Sequence, residues 1–192
     1  MRKFICISGK AQNGKDTTAN ILAEMLRQRG HKVLVAHQAD LLKYICKTFF
    51  NWNGEKDEYG RSLLQRVGTD VVRKVQPDFW VDFMEQVTSF FPDEWDYIIV
   101  PDTRFPNEIE KLKTPTSRVA HIRVIRGNFQ SPLTEEQQQH LSETALDGYP
   151  CSCRLFNNGT YSDLKLKVEM ICDWIEDGSM FDRPTDGRHY VV

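Results

Sequence analysis

The sequence predicts an α/β fold, a parallel sheet covered by helices, and three observations carry the prediction. Short apolar runs at 3–8 ("KFICIS"), 32–37 ("KVLVAH"), 95–102 ("WDYIIVPD") and 118–127 ("RVAHIRVIRG") have the length and bounds of buried strands. Segments of helical periodicity lie between them. The first run enters a glycine-bearing loop that opens a helix, and a β-loop-α-β order calls for a parallel neighbour.

In chain order, "KDTTANILAEMLRQRG" places Ile21, Leu22, Met25 and Leu26 on one helical face, and Gly30 stands where a C-cap ends a helix. "ADLLKYICKTFF" at 39–50 is the next helix, and the polar residues 51–60, "NWNGEKDEYG", read as a loop. "RSLLQRVGTDVVRKV" and "DFWVDFMEQVTSFF" read as two helices parted by Pro77, which makes 51–92 a helical insertion over the sheet. The stretch 131–146, "SPLTEEQQQHLSETAL", is polar and glutamine-rich. "CRLFNNGT" at 153–160 reads as a short last strand and turn. "YSDLKLKVEMICDWIED" reads as the last helix, with Leu164, Val168, Ile171 and Ile175 as its apolar stripe, and "RPTDGRHYVV" as an irregular tail.

A chain of 192 residues has room for one domain, 1–192, with a full core. Hydrophobic residues at 40% and charged residues at 27% suit a soluble globular protein, and no apolar run approaches the about eighteen residues of a membrane span. The apolar part of "MRKFICIS" is too short for a signal peptide, so a cytoplasmic protein is expected. Five cysteines without a four-ligand spacing read as reduced thiols. A net charge of -2 gives no reason to expect a nucleic-acid polymer as partner, so any phosphate recognition must come from a local cluster.

Four constellations carry chemistry. Gly9 to Thr17 nearly fits G-x-x-x-x-G-K-[ST], a loop whose backbone N–H groups and lysine hold phosphates, and it has the confirming context of a strand before and a helix after. Asp16 stands at the hydroxyl position; it can ligate Mg²⁺ directly or through water, or cap the helix while Thr17 supplies the hydroxyl. In "IIVPDTRFPNE", Asp102 ends a buried strand where a metal-holding acid belongs, with Arg104 two residues on. In 63–81, Gln65, Arg66, Arg73 and Trp80 combine amide, cations and an aromatic surface; taken alone, they fit a structural helix pair equally well. Arg123, Arg126, His140 and Glu143 fit either a segment closing over a transferring group or a solvated loop.

Taken together, "SGKAQNGKDTTA", "VGTDVVR" followed by "FWV", "YIIVPDTR" with a downstream Glu108, and "HLSETAL" before "NNGT" resemble the phage-type deoxynucleoside monophosphate kinases, in the same order over residues 4–168. In that family the aspartate after the loop lysine is usual. The resemblance implies a three-layer α/β/α P-loop kinase fold with a central parallel sheet, a helical acceptor-binding insertion at 51–92 and a lid-like segment at 127–150. It implies transfer of the γ-phosphoryl group of ATP to a (deoxy)nucleoside 5′-monophosphate with Mg²⁺, and a phage source would place this in the host cytoplasm. On this reading Gly9, Lys10, Asn13, Gly14, Lys15, Asp16 and Thr17 hold ATP, and Asp16, Thr17 and Asp102 the metal. Asp40, Lys43, Gln65, Arg66, Thr69, Arg73 and Trp80 hold the acceptor, while Lys15, Arg73, Asp102, Arg104 and Arg126 form the catalytic set.

Two departures stand out: the chain between the second helix and "RSLLQ" is short beside that of the better known phage enzymes, and the closing segment is glutamine-rich. Two alternatives stay open, a kinase of another phosphate monoester of the animal phosphomevalonate type, whose loop also carries G-K-D, and a nucleotide-binding sensor. No membrane partner is expected. Family members often work as dimers, which makes a homodimer a candidate assembly.

Overall fold

The computed structural model describes residues 1–127, 129–181 and 190–192. Six parallel strands form one sheet in the order β2-β3-β1-β4-β5-β6. They are β1 (Arg2–Ser8), β2 (Val33–Val35), β3 (Tyr97–Val100), β4 (Ser117–Ile125), β5 (Cys153–Phe156) and β6 (Tyr190–Val191). The order reverses at β1, whose neighbours are β3 on one side and β4 on the other. The loop leaving its C-terminal end therefore lies at the switch point where open α/β sheets bind ligands.

Strand alternation supplies both layers. Ile5 and Ile7 of β1 face a core completed by α1 (Lys15–Gln28) and α8 (Tyr161–Glu176), including Leu22, Leu26, Val168 and Ile171. Phe4 and Cys6 face the opposite core, built with Val81 and Met84 of α4 (Phe79–Ser89) and Ile109 and Leu112 of α5 (Pro106–Leu112). A sheet covered on both faces needs apolar side chains at both parities, hence the unbroken "FICI" and "YIIV" runs. A third, smaller core of Cys46, Trp52, Leu63 and Val67 joins α2 (Ala39–Phe50), α3 (Glu58–Gln65) and the π-helical turns Arg66–Arg73. Two short helices, α6 (Glu135–Gln139) and α7 (Leu141–Thr144), make up the segment that crosses between the two ends of the site.

Several expectations need correction. The helix expected from Arg61 starts at Glu58, because the Asp57 side chain accepts a hydrogen bond from the Gly60 N–H (2.7 Å) and caps it. Its continuation is π-helical over Arg66–Arg73, a wider turn that periodicity does not announce. Helix α5 goes unpredicted; Pro106 at its first turn is the signal that locates it. The tail is not wholly irregular: Tyr190–Val191 pairs with Cys153–Arg154, so β5 is not the last strand. The rest of that tail, 183–189, lies outside the described residues.

Candidate active site

The loop after β1 is held open by backbone. Gly9 has φ +149°, and a Cβ there would meet the Val124 carbonyl oxygen at 2.4 Å; Gly14 has φ +98°, and its Cβ would meet Asn157 Nδ2 at 2.4 Å. A side chain at Gly9 would have to displace the β4 backbone, and one at Gly14 would adopt a strained positive φ and push away the Asn157 side chain. Asn13 ties the loop to β4 through Nδ2 to the Val124 carbonyl (3.3 Å), and Asn157 Nδ2 donates to the Asn13 carbonyl (2.9 Å). Lys15 folds back over the loop, its Nζ donating to the carbonyls of Gly9 (2.8 Å) and Lys10 (2.9 Å). Burial, and then the Arg104 charge, depress the Lys15 pKa to about 7. An anionic ligand in the loop would restore the charge.

Below Lys15 a cavity of about 620 Å³ opens between this loop and the helical insertion. Lys15 and Asp16 line it from the start of α1; Lys43 from α2, Gln65 from α3, Thr69 and Arg73 from the π-helical turns and Trp80 from α4; Asp102 and Arg104 from the β3–α5 connection. Asp102 accepts from the backbone N–H groups of Gln38 (3.0 Å) and Ala39 (2.8 Å), so it also fixes the start of α2. Arg73 is held by Glu108 (2.5 Å) and lies 3.9 Å from the Phe105 ring centroid. Burial raises the pKa of Glu108, and the Arg73 charge and the N–H groups of Arg104 (2.6 Å) and Phe105 (3.1 Å) oppose that rise. Trp80 is buried and donates through Nε1 to the Gly68 carbonyl (3.0 Å).

Not every expected residue reaches the cavity. Arg126 is exposed, 4.6 Å from the Phe129 ring centroid, and Arg66, the first residue of the π-helical turns, is exposed; neither lines the cavity. Thr17 is exposed on α1 outside the lining, and exposed Asp40 pairs with Lys43 (2.7 Å) and His37. Arg123 is spent on structure, donating to the carbonyls of Leu146, Asp147 (2.9 Å) and Tyr149 (2.7 Å). The remaining loop residues, Gly9, Lys10, Asn13 and Gly14, form the loop itself rather than the cavity wall.

His37 and Gln38 join the site without having been singled out, whereas Glu143 and His140, named above as candidates for a closing segment, are found bridging to it. His37 Nε2 is 3.0 Å from Asp16 Oδ1; this contact raises the histidine pKa and lowers that of the aspartate. Gln38 lines the cavity with its amide buried and unpaired, which costs about 1–3 kcal/mol per unsatisfied group. The signal for both was a polar pair following the C-terminal end of an apolar strand, the end of a parallel sheet at which ligands bind. Glu143 spans the site, its carboxylate bonded to Arg104 (2.5 Å) and to the Ala11 N–H of the loop (3.1 Å). The same segment reaches the insertion: Gln137 Nε2 donates to the Glu58 carbonyl and Ser62 Oγ, and His140 contacts Asp70.

The family model described as "Deoxynucleotide monophosphate kinase" matches residues 32–168, most of the chain. The chain belongs to this family. Similar relatives are the deoxynucleotide monophosphate kinase of Escherichia phage RB69, 30% identical over 113 residues (58% of this chain, 43% of the relative), and that of Enterobacteria phage T4, 28% identical over 120 residues (61% and 47%). The aligned part of this family member thus spans less than half the length of either curated relative. Among solved structures, the Mycobacterium tuberculosis APS kinase CysC in complex with AMPPNP and APS is similar at 10% identity and TM-score 0.49, over 91% of this chain and 97% of that one. No helix among the described residues is long and apolar enough to cross a membrane.

Proposed function

We propose that this chain transfers the γ-phosphoryl group of ATP to a (deoxy)nucleoside 5′-monophosphate, giving ADP and the nucleoside diphosphate. The observation that carries the reading is a single cavity with a phosphate-type loop and Lys15 on one wall and Arg73, Trp80 and Gln65 on the other. A nucleotide-binding sensor needs the first wall only.

Phosphoryl transfer asks the protein to align two oxygens and neutralise charge, with little covalent work. Lys15 follows the charge of the moving group from the donor side. Arg73, fixed by Glu108, grips the acceptor phosphate, and Arg104 reaches the transferring group between them. Trp80, buried with its N–H bonded to Gly68, contributes an aromatic surface to the cavity lining near the base. The segment carrying Leu133 and Glu143 excludes water from above.

A magnesium ion fits the donor set. Asp16 and Asp102 are hard oxygen donors on the same cavity, and no cluster of three or more ligating side chains is found among the described residues. Mg²⁺ characteristically takes one or two carboxylates plus substrate phosphates rather than a protein cage. Asp16 and Asp102 would hold it, and when bound it neutralises charge on the donor phosphates.

The test is ADP release from Mg·ATP against dAMP, dGMP, dCMP, dTMP and UMP, with phosphomevalonate as control. Turnover with at least one nucleotide supports the reading. ATP hydrolysis indifferent to every nucleotide, or turnover with phosphomevalonate alone, overturns it.

A further inference from the structure

Among the described residues, the buried side-chain polar atoms without a hydrogen-bond partner are Thr18 Oγ1, both amide atoms of Gln38, and Arg73 Nε. All but the threonine belong to residues that line the cavity. The contrast with the other buried glutamine is direct. Gln137 uses Nε2 on the Glu58 carbonyl (3.1 Å) and Ser62 Oγ (3.0 Å), and its Oε1 accepts from the Thr134 N–H (3.3 Å). Gln38 is as deeply placed, 7% exposed against 4%, yet its amide bonds to nothing: it stands at the N-cap position of α2 without a side-chain capping bond. Its backbone is fixed, because the Gln38 N–H donates to Asp102.

A buried carboxamide without partners is uncommon in native proteins and calls for a specific cause. Here the unpaired atoms fall on two residues that line the cavity, Arg73 with an unpaired Nε–H and Gln38 with a donor amide nitrogen and an acceptor oxygen in one plane. An acceptor nucleotide offers a matching set: anionic oxygens for the arginine and a base edge with adjacent donor and acceptor atoms for the amide.

We propose that Gln38 is a specificity-determining residue of the acceptor site, pairing its carboxamide with a donor–acceptor edge of the nucleobase. The proposal rests on the acceptor reading above. Gln38 lines the cavity beside the apolar Ala39 and Leu42, and its amide bonds to none of the polar side chains that share the lining. A base that presents the complementary edge satisfies both amide atoms; one with the opposite pattern leaves them unpaired, which is the strongest form of rejection a polar site has.

The experiment uses the full chain and two variants, Gln38→Leu and Gln38→Glu, with kcat/KM measured for dAMP, dGMP, dCMP and dTMP at saturating Mg·ATP, and the melting temperature of each protein. Gln38→Leu is expected to lower kcat/KM about 10- to 100-fold for the preferred acceptor, to leave the poorer acceptors nearly unchanged, and to keep the KM for ATP. Its melting temperature should hold or rise, since no hydrogen bond is lost with the amide. Gln38→Glu offers only acceptors and should change the rank order of bases. The same factor for every base, which a contact to the sugar alone would give, no change at all, or a fall in melting temperature that tracks the activity loss overturns the proposal. Wild-type silence toward all nucleotides defeats the kinase reading and this proposal together, whereas an active wild type with a base-independent Gln38→Leu defeats the proposal alone.

Discussion

The proposed donor wall of the cavity comes from one short stretch, Ala11, Gln12, Lys15 and Asp16 of the loop that begins at Gly9, whose lysine folds back on the carbonyls of its own residues five and six positions earlier. The acceptor wall is collected from α2, α3, the π-helical turns, α4 and the β3–α5 connection, and its central arginine is held by a carboxylate 35 residues away. The first wall is a local conformation written in glycines. The second exists only once segments have packed, so it is more exposed to mutation and more open to change of substrate.

The largest effect should come from the donor wall. Lys15→Ala is expected to lower kcat about a thousandfold or more while keeping the fold, because it removes the cation at the transferring group and relieves the cost of a buried ammonium. Single-turnover kinetics and a thermal melt measure the two halves of this claim; substantial residual kcat would take Lys15 out of the transfer step.

Next comes the acceptor wall, where the cost should fall on stability. Glu108→Ala leaves Arg73 as an unpaired buried charge, the two side chains being only 3% and 11% exposed, and a loss of about 3–5 kcal/mol is expected in urea unfolding. Replacing both, Glu108→Leu with Arg73→Met, should recover most of that stability without recovering acceptor turnover. If the double variant phosphorylates nucleotides normally, Arg73 has no part in the acceptor site.

A comparable effect is expected under the junction of the donor loop and the crossing segment. His121 Nε2 meets Ser8 Oγ (2.7 Å) and its Nδ1 meets the Pro150 carbonyl (2.9 Å), so the ring is neutral with the proton on Nδ1. Burial depresses its pKa from 6.5 to about 4. Between those values the unfolded chain binds the proton and the folded one does not, so stability should fall as pH drops from 6.5 to 4, by up to roughly 3 kcal/mol. His121→Gln should flatten that dependence in urea titrations at pH 7 and pH 5; an unchanged slope would assign it to other groups.

The smallest effect belongs to the exposed tie between the walls. Lys10 pairs with Asp147 (2.7 Å), the side chains being 46% and 58% exposed. Such a pair is worth about 1 kcal/mol or less. Lys10→Ala should leave the melting temperature almost unchanged yet speed proteolysis of the 131–147 segment; equal cleavage rates would show that the segment's other contacts, among them those of Glu143, Gln137 and Arg123, hold it without the Lys10 tie.

Legibility divides along the same line. The phosphate loop, β3 running into Asp102, and the stripe of α8 were readable because each is a short pattern whose geometry is local. The π-helical turns, the start of α3 and helix α5 were misread because their boundaries depend on one cap or one proline. Of the basic residues, Arg66 and Arg73 lie in the same segment, and only the resemblance set Arg73 ahead; Arg73, packed against Phe105 and Glu108, lines the cavity and Arg66 does not. Arg126 looked as well placed as Arg104, yet only Arg104 stands on the wall.

By itself, then, the sequence determined the parallel sheet, the phosphate loop and the family, since strand alternation, glycine torsions and a spaced motif act over a few residues. The tertiary structure decided which arginines face the cavity, that His37 sits on Asp16, and that Gln38 is buried with its amide unpaired. Those facts depend on contacts between segments tens of residues apart, whose distance is set by how the cores close and not by any neighbour in the chain.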